Sequence, residues 1–270
     1  MQIRDRLILA LSQRIYLIAL RSSSSWENMI SDRKNVNREF QVKFPRSTGP
    51  GWVSTLKEME VKEINTDRHL IHWTRGVYGP WKGESIGDYL RAISETPDHK
   101  RVSGMNGINP RDGFETLCHI IQTGVVRGEG RMVREGVPMT SFTRAPIQTI
   151  LKQIRYRNTL GRYNFEPYGI GINRSRLEML GTKPVIYGYE RNYRALGDEE
   201  KPFFQIIKSK SSSSQKSWEV EQEFRLIGDL DLTSLDPHDI TLIVPTDKEA
   251  KKLASITTHE IRTLKKAENT

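Results

Sequence analysis

The sequence predicts an α+β fold with a central mixed or mostly antiparallel sheet, on three observations. Stretches of strand composition are short and numerous, and helical stretches are few. The two kinds also do not alternate in the regular way that a doubly wound parallel sheet requires. The globular pattern begins near residue 53, so residues 1–52 read as an N-terminal helical and irregular appendage and 53–270 as one folded domain. "FPRSTGPGW" (44–52) separates them, a linker by its proline and glycine content.

Taken in order, "LILALSQRIYLIAL" (7–20) reads as an amphipathic helix that docks on the body or on a partner. Gln13 and Arg14 interrupt its apolar run, which falls short of the ~20 residues of a membrane span. "RSSSSW" after it makes a poor signal-peptidase site, so no membrane association is expected. "LIHWTRGVYGP" (70–80) reads as a short buried strand that ends in His72, Thr74 and Arg75 before glycine and proline stop it. In "GFETLCHIIQTG", Phe114, Leu117, Cys118 and Ile121 recur at helical spacing, and Gly124 is placed to end the helix. "VPMTSFT" (137–143) has strand composition. In "APIQTILKQIRYR", Ile147, Ile150, Leu151 and Ile154 form the apolar stripe of a second helix. Further strands are expected at 168–173, 183–189, 223–228 and 239–245. "TDKEAKKLASI" opens with a capping-box spacing, Thr246 to Glu249, and predicts a last helix. "KSKSSSSQKS" (208–217) is of low complexity and reads as a mobile loop.

Composition narrows the function. The 270 residues hold 42 Lys plus Arg against 33 Asp plus Glu, a net charge of +9. Such an excess concentrates anionic partners (nucleic acid, nucleotides, acidic proteins), although a generally solvated basic surface reads the same way. The single cysteine, Cys118, rules out an internal disulfide and any multi-cysteine zinc site, and points to a reducing cytoplasm. The chain has no Walker-type phosphate loop, no G-x-S-x-G elbow and no H-E-x-x-H zinc motif. Its six histidines are scattered without acidic or cysteine partners at ligand spacing, so no metal is expected.

Three polar segments remain. His72, Thr74 and Arg75 stand at a strand end, as ordinary strand-end groups or as ligands for ribose and phosphate. "MTSFTRAP" (139–146) brings Thr140, Ser141 and Thr143 to a strand end just before a helix, where hydroxyls cap the helix or orient a carboxylate. In "SWEVEQEFRLIG", Glu219, Glu221 and Glu223 alternate and project from one face if the chain is extended. Carboxylates on one side repel unless cations answer them. A charged edge strand accounts for them equally, although Phe224-Arg225-Leu226-Ile227 has the composition of a buried central strand.

His-x-Thr on an early strand, Ser-Phe-Thr on a middle strand and Glu-x-Glu opening a late strand follow the order of the three-part signature of ADP-ribosyltransferases. Over about residues 70–245 the chain resembles their bacterial toxin-type members. No tyrosine stands unambiguously where the histidine-tyrosine-glutamate branch stacks the nicotinamide, so that branch and the arginine-serine-glutamate branch both stay open. The resemblance implies a split mixed sheet, NAD as co-substrate and no metal. It implies Glu223 at the oxocarbenium-like ribose and Glu221 at the acceptor. His72 and Thr74 would bind the adenosine-side ribose, and Arg75 the diphosphate. Ser141 and Thr143 would position Glu223, and Phe142 or Tyr168 would pack on nicotinamide.

The net charge of +9 and the basic stretch "KQIRYRNTLGR" suit a nucleic acid, RNA or DNA, as acceptor, with Tyr156 or Tyr163 available to stack on bases. A protein acceptor or plain NAD hydrolysis stays open. The implied setting is a toxin–antitoxin or anti-phage system, with an antitoxin or chaperone docking on the 7–20 helix. The alternative is a non-enzymatic, basic nucleic-acid-binding or regulatory module.

Overall fold

One seven-stranded sheet organises the computed structural model. The structure describes residues 15–16, 30, 36–37, 59–60, 64–77, 79–95, 111–130, 133–154, 156–157, 162–207 and 220–266. The chain divides into two units, Met1–Pro50 and Gly51–Thr270. In the first, Ile15–Tyr16 pair in parallel with Val36–Asn37. A β-branched and an aromatic residue suit a strand, and the helix expected over 7–20 does not pass through this pair. The rest of that stretch, like the 208–217 loop, lies outside the described residues.

In the second unit the sheet strands are β1 (His69–Trp73), β2 (Met139–Thr143), β3 (Gly169–Asn173), β4 (Lys183–Pro184), β5 (Glu223–Ile227), β6 (Ile240–Val244) and β7 (Glu260–Thr263). They lie in the order β4-β5-β2-β1-β3-β6-β7. Every neighbouring pair is antiparallel except β6 with β7. Among the described residues of this unit the helices are α1 (Ile86–Glu95), α2 (Gly113–Thr123), α3 (Ile147–Gln153), α4 (Arg174–Met179), α5 (Glu190–Ala195) and α6 (Asp247–Ala254). This is the α+β class with a mixed, mostly antiparallel sheet.

Strand alternation sorts the apolar residues into two layers. Leu70, Phe142, Ile170, Phe224, Leu226 and Leu242 pack against Phe114, Leu117 and Ile120 of α2 and Leu253 of α6. Ile71, Trp73 and Ile243 point the other way, onto Ile147, Ile150 and Leu151 of α3. Leu70 and Ile71 adjoin in sequence yet lie in opposite layers, both fully buried.

The helix ends follow local chemistry. Asp112 caps α2 by accepting from the Glu115 N–H, and Thr246 caps α6 by accepting from the Glu249 N–H. Gly124 ends α2 at φ 69°, where an added Cβ would sit 2.6 Å from Thr233 Cγ2.

The stretch 183–189 is not one strand. Lys183–Pro184 pair with β5, the Val185 N–H donates to the Glu223 carbonyl, and Ile186–Gly188 pair instead with Phe204–Ile206. The ladder with β5 ends there because the chain before Glu223 turns away, through Gln222 at φ 48°. Among the described residues no helix is long and apolar enough to cross a membrane.

Candidate active site at the narrow point of the sheet

Between β1 and β2 the sheet narrows to one residue pair, Ile71 opposite Thr143, whereas β1 and β3 share five. Past that pair the two strands no longer exchange ladder bonds, and a side chain bridges them. The His72 Nδ1 lies 2.9 Å from the Ser141 carbonyl oxygen. A carbonyl only accepts, so Nδ1 carries the proton and Nε2 keeps its lone pair for a donor. Burial holds the imidazole pKa down at about 4, against the lift from the Ser141 carbonyl, and the Arg75 charge lowers it further. The ring is therefore neutral at pH 7.

On the far side of β2, register places Thr143 opposite Glu223 and Ser141 opposite Arg225. Directly opposed residues share a face, as do residues two apart on one strand, so these four side chains lie together. The Ser141 hydroxyl donates to Glu223 Oε1 at 2.8 Å. The Arg225 Nε donates to the same oxygen at 2.8 Å and its Nη2 to Oε2 at 3.1 Å. Nη2 also donates to Gln205 Oε1 at 2.9 Å. Ser141 thus joins three distant segments across three adjacent strands, through its backbone carbonyl to His72 and through its hydroxyl to Glu223, with the His72 ring on the Phe142 side of the sheet.

The alternation expected for the glutamates does not hold. Val220 and Glu221 lie in a helical turn, Gln222 is left-handed, and the strand begins only at Glu223. Glu221 therefore does not share an extended face with Glu223. Its carbonyl instead accepts a short hydrogen bond from the Thr143 hydroxyl. Arg144 steadies the turn, its N–H donating to the Gln222 carbonyl and its Nε to Gln222 Oε1. Glu219 lies outside the described residues.

Thr143 is buried, and its hydroxyl also accepts from the Ala145 N–H, so it fixes the turn before Glu223 without reaching the carboxylate. Phe142 points to the opposite face from Ser141, into the α2 layer, where its ring meets His72 edge-on at 6.0 Å. It is not brought to the face that carries Glu223, because its neighbours alternate away from it. Tyr168 likewise packs inward, its ring on Phe114 and its hydroxyl donating to Glu249 Oε1 at 2.7 Å. Burial and that carboxylate push its phenol pKa well up. Thr74 is also withdrawn: its buried hydroxyl donates to the carbonyl oxygens of Gly113 and Tyr168. Tyr163 packs against the α3 layer rather than standing free for base stacking. The side chain of Tyr156 lies outside the described residues.

Arg75 stays at hand, half-exposed, with Nη2 3.4 Å from Glu129 Oε2. Both its neighbours are anchored. The Thr74 N–H donates to the Tyr168 carbonyl at 2.9 Å, and the Gly76 N–H to Glu166 Oε1 at 2.5 Å. The other Glu166 oxygen accepts from the Gly113 N–H at the start of α2. Burial pushes the Glu166 pKa up, against the pull of these two N–H groups.

Arg225, Gln205 and Glu166 did not stand out in the sequence. The available signal was an arginine inside an otherwise apolar strand and a glutamate just before "PYGIGIN". Among the described residues no group of three or more His, Cys, Asp or Glu is placed to hold a metal ion. Comparison with protein-family models, curated proteins and solved structures finds no match to the chain.

Proposed function

We propose that the protein is an NAD-dependent mono-ADP-ribosyltransferase with an ADP-ribosyltransferase-like split sheet. The observation that carries the reading is the meeting of three distant segments at Ser141, its backbone carbonyl on His72 and its hydroxyl on Glu223. The sheet that narrows to one residue pair between β1 and β2 fits the split that the resemblance implies.

In this reading Glu223 faces the nicotinamide ribose. The glycosidic bond breaks, nicotinamide leaves neutral with the bonding pair, and the carboxylate offsets the positive charge on the ribose. The acceptor nucleophile then bonds to the anomeric carbon and gives up its proton. The neutral His72 offers Nε2 to a ribose hydroxyl, and Arg75 offers its fork to the diphosphate. Glu221, in the turn beside Glu223, is the candidate for the acceptor's proton. Thr74, Phe142 and Tyr168 act from behind, by packing.

The net charge of +9 favours a nucleic acid as acceptor. A toxin held by an antitoxin, or an anti-phage effector, is the setting that suits such an enzyme. One observation favours the alternative of a non-enzymatic nucleic-acid-binding module: Glu223 is paired with a buried arginine, as a purely structural carboxylate would be. Transfer of label from NAD to RNA, DNA or protein separates the two. The enzyme reading predicts transfer by the wild type and none by a folded Glu223→Gln variant. Nucleic-acid binding that survives the substitution, with no NAD consumed by either protein, overturns it.

A further inference from the structure

Glu223 and Arg225 stand two residues apart on β5, their side chains on the same face as Ser141. The guanidinium is almost fully buried, with 5% of its side chain exposed against 17% for Glu223. It grips both carboxylate oxygens, and among the described residues its Nη1 has no hydrogen-bond partner. A buried cation with so few partners is not serving as a general surface charge. Its Nε and Nη2 edge is spent on Glu223, and its remaining contact, with Gln205, fixes the plane of the fork.

The geometry also selects one oxygen. A carboxylate has about four lone-pair sites, two on each oxygen. On Oε1 both are taken, by the Ser141 hydroxyl and the Arg225 Nε. On Oε2, among the described residues, one is taken, by the Arg225 Nη2. Among the described residues one acceptor site is left on Oε2, in a direction that the fork and the serine set between them.

We propose that Arg225 is a positioning residue for Glu223, with Gln205 in support, and that it directs the one remaining lone pair of Oε2 at a substrate hydroxyl. The proposal rests on the transferase reading, in which that hydroxyl belongs to the nicotinamide ribose. The chain from Gln205 through Arg225 to Glu223 also ties the segment 186–206 to the carboxylate, so a change at residue 205 reaches the site without touching it.

The test compares Arg225→Lys and Gln205→Leu with the wild type, all checked for a cooperative thermal transition. Lysine keeps the charge and loses the fork. Gln205→Leu leaves the ion pair whole and serves if Arg225→Lys does not fold. Two readouts are taken. The first is the side-chain carboxyl carbon resonance of Glu223, identified by its loss in Glu223→Gln. It should shift and broaden in Arg225→Lys and shift less in Gln205→Leu. The second is nicotinamide release from NAD. For an interaction made in the transition state, kcat should fall roughly 30-fold in Arg225→Lys and roughly threefold in Gln205→Leu, with KM for NAD nearly constant. An unchanged carbon resonance in a folded variant overturns the proposal, and so does a raised KM with kcat intact. If the wild type itself releases no nicotinamide, the transferase reading fails, and the resonance alone decides whether Arg225 sets the carboxylate.

Discussion

Ser141 on β2 and Glu223 on β5 meet diagonally across the ladder, hydroxyl to carboxylate at 2.8 Å, although 82 positions separate them in sequence. Each stands opposite the partner's neighbour: Ser141 faces Arg225, and Glu223 faces Thr143. The contact therefore depends on register, since a slip of one residue would send Glu223 into the apolar layer that Phe224 now fills.

Removing the hydroxyl tests the contact with little effect on packing, because Ser141 is exposed. Ser141→Ala should leave stability within about 1 kcal/mol of the wild type. It should lower NAD turnover roughly 10- to 100-fold, the range of a hydrogen bond to a charged group. Parallel melting curves and turnover assays check both halves.

Glu223→Gln is the natural inactive control, and it carries a structural cost. The change leaves the buried Arg225 without a counter-charge, and breaking such a pair from one side typically costs about 3 kcal/mol or more. Replacing both partners with apolar residues, Glu223→Leu with Arg225→Met, should recover much of that loss while activity stays absent. Urea denaturation of the single and double variants measures the difference.

His72 gives the stability a defined pH dependence. Its folded pKa, about 4, lies below the ordinary 6.5, so between those values the unfolded chain binds the proton that the native imidazole refuses. The stabilising contribution is complete above pH 6.5 and is lost as pH falls toward 4. The span is worth at most about 3 kcal/mol. In His72→Asn, whose amide still donates to the Ser141 carbonyl, this slope should be missing from denaturation curves taken between pH 7 and pH 4. An unchanged slope would remove the buried imidazole from the account.

Gly124→Ala tests the end of α2. The positive φ and the close Thr233 methyl both oppose a side chain there, so a loss of about 1–2 kcal/mol is expected in thermal or urea unfolding.

Much of this architecture was readable from local chemistry. The apolar spacing of Phe114, Leu117 and Ile121, and of Ile147, Ile150 and Leu151, located α2 and α3 because amphipathic periodicity reports which face is buried. The continuous apolar runs locate β3 and β6 because strands covered on both faces need no alternation. Glu221 and Glu223 misled because alternation has meaning only on extended chain, and the left-handed Gln222 interrupts it. The resemblance puts Phe142 or Tyr168 on the nicotinamide, whereas the side of the sheet that such a residue meets depends on register with partners far away in sequence. Arg225 is not legible in the sequence, because a lone cation in an apolar strand declares its role only beside its partner, here two residues away on the same face.

The most direct measurement is chromatographic detection of free nicotinamide when the purified, folded protein is incubated with NAD, with and without nucleic acid. The account predicts repeated turnover by the wild type, a marked fall in Ser141→Ala and none in a folded Glu223→Gln. Nicotinamide that never exceeds the background with any acceptor, or release that Glu223→Gln sustains at the wild-type rate, would contradict it.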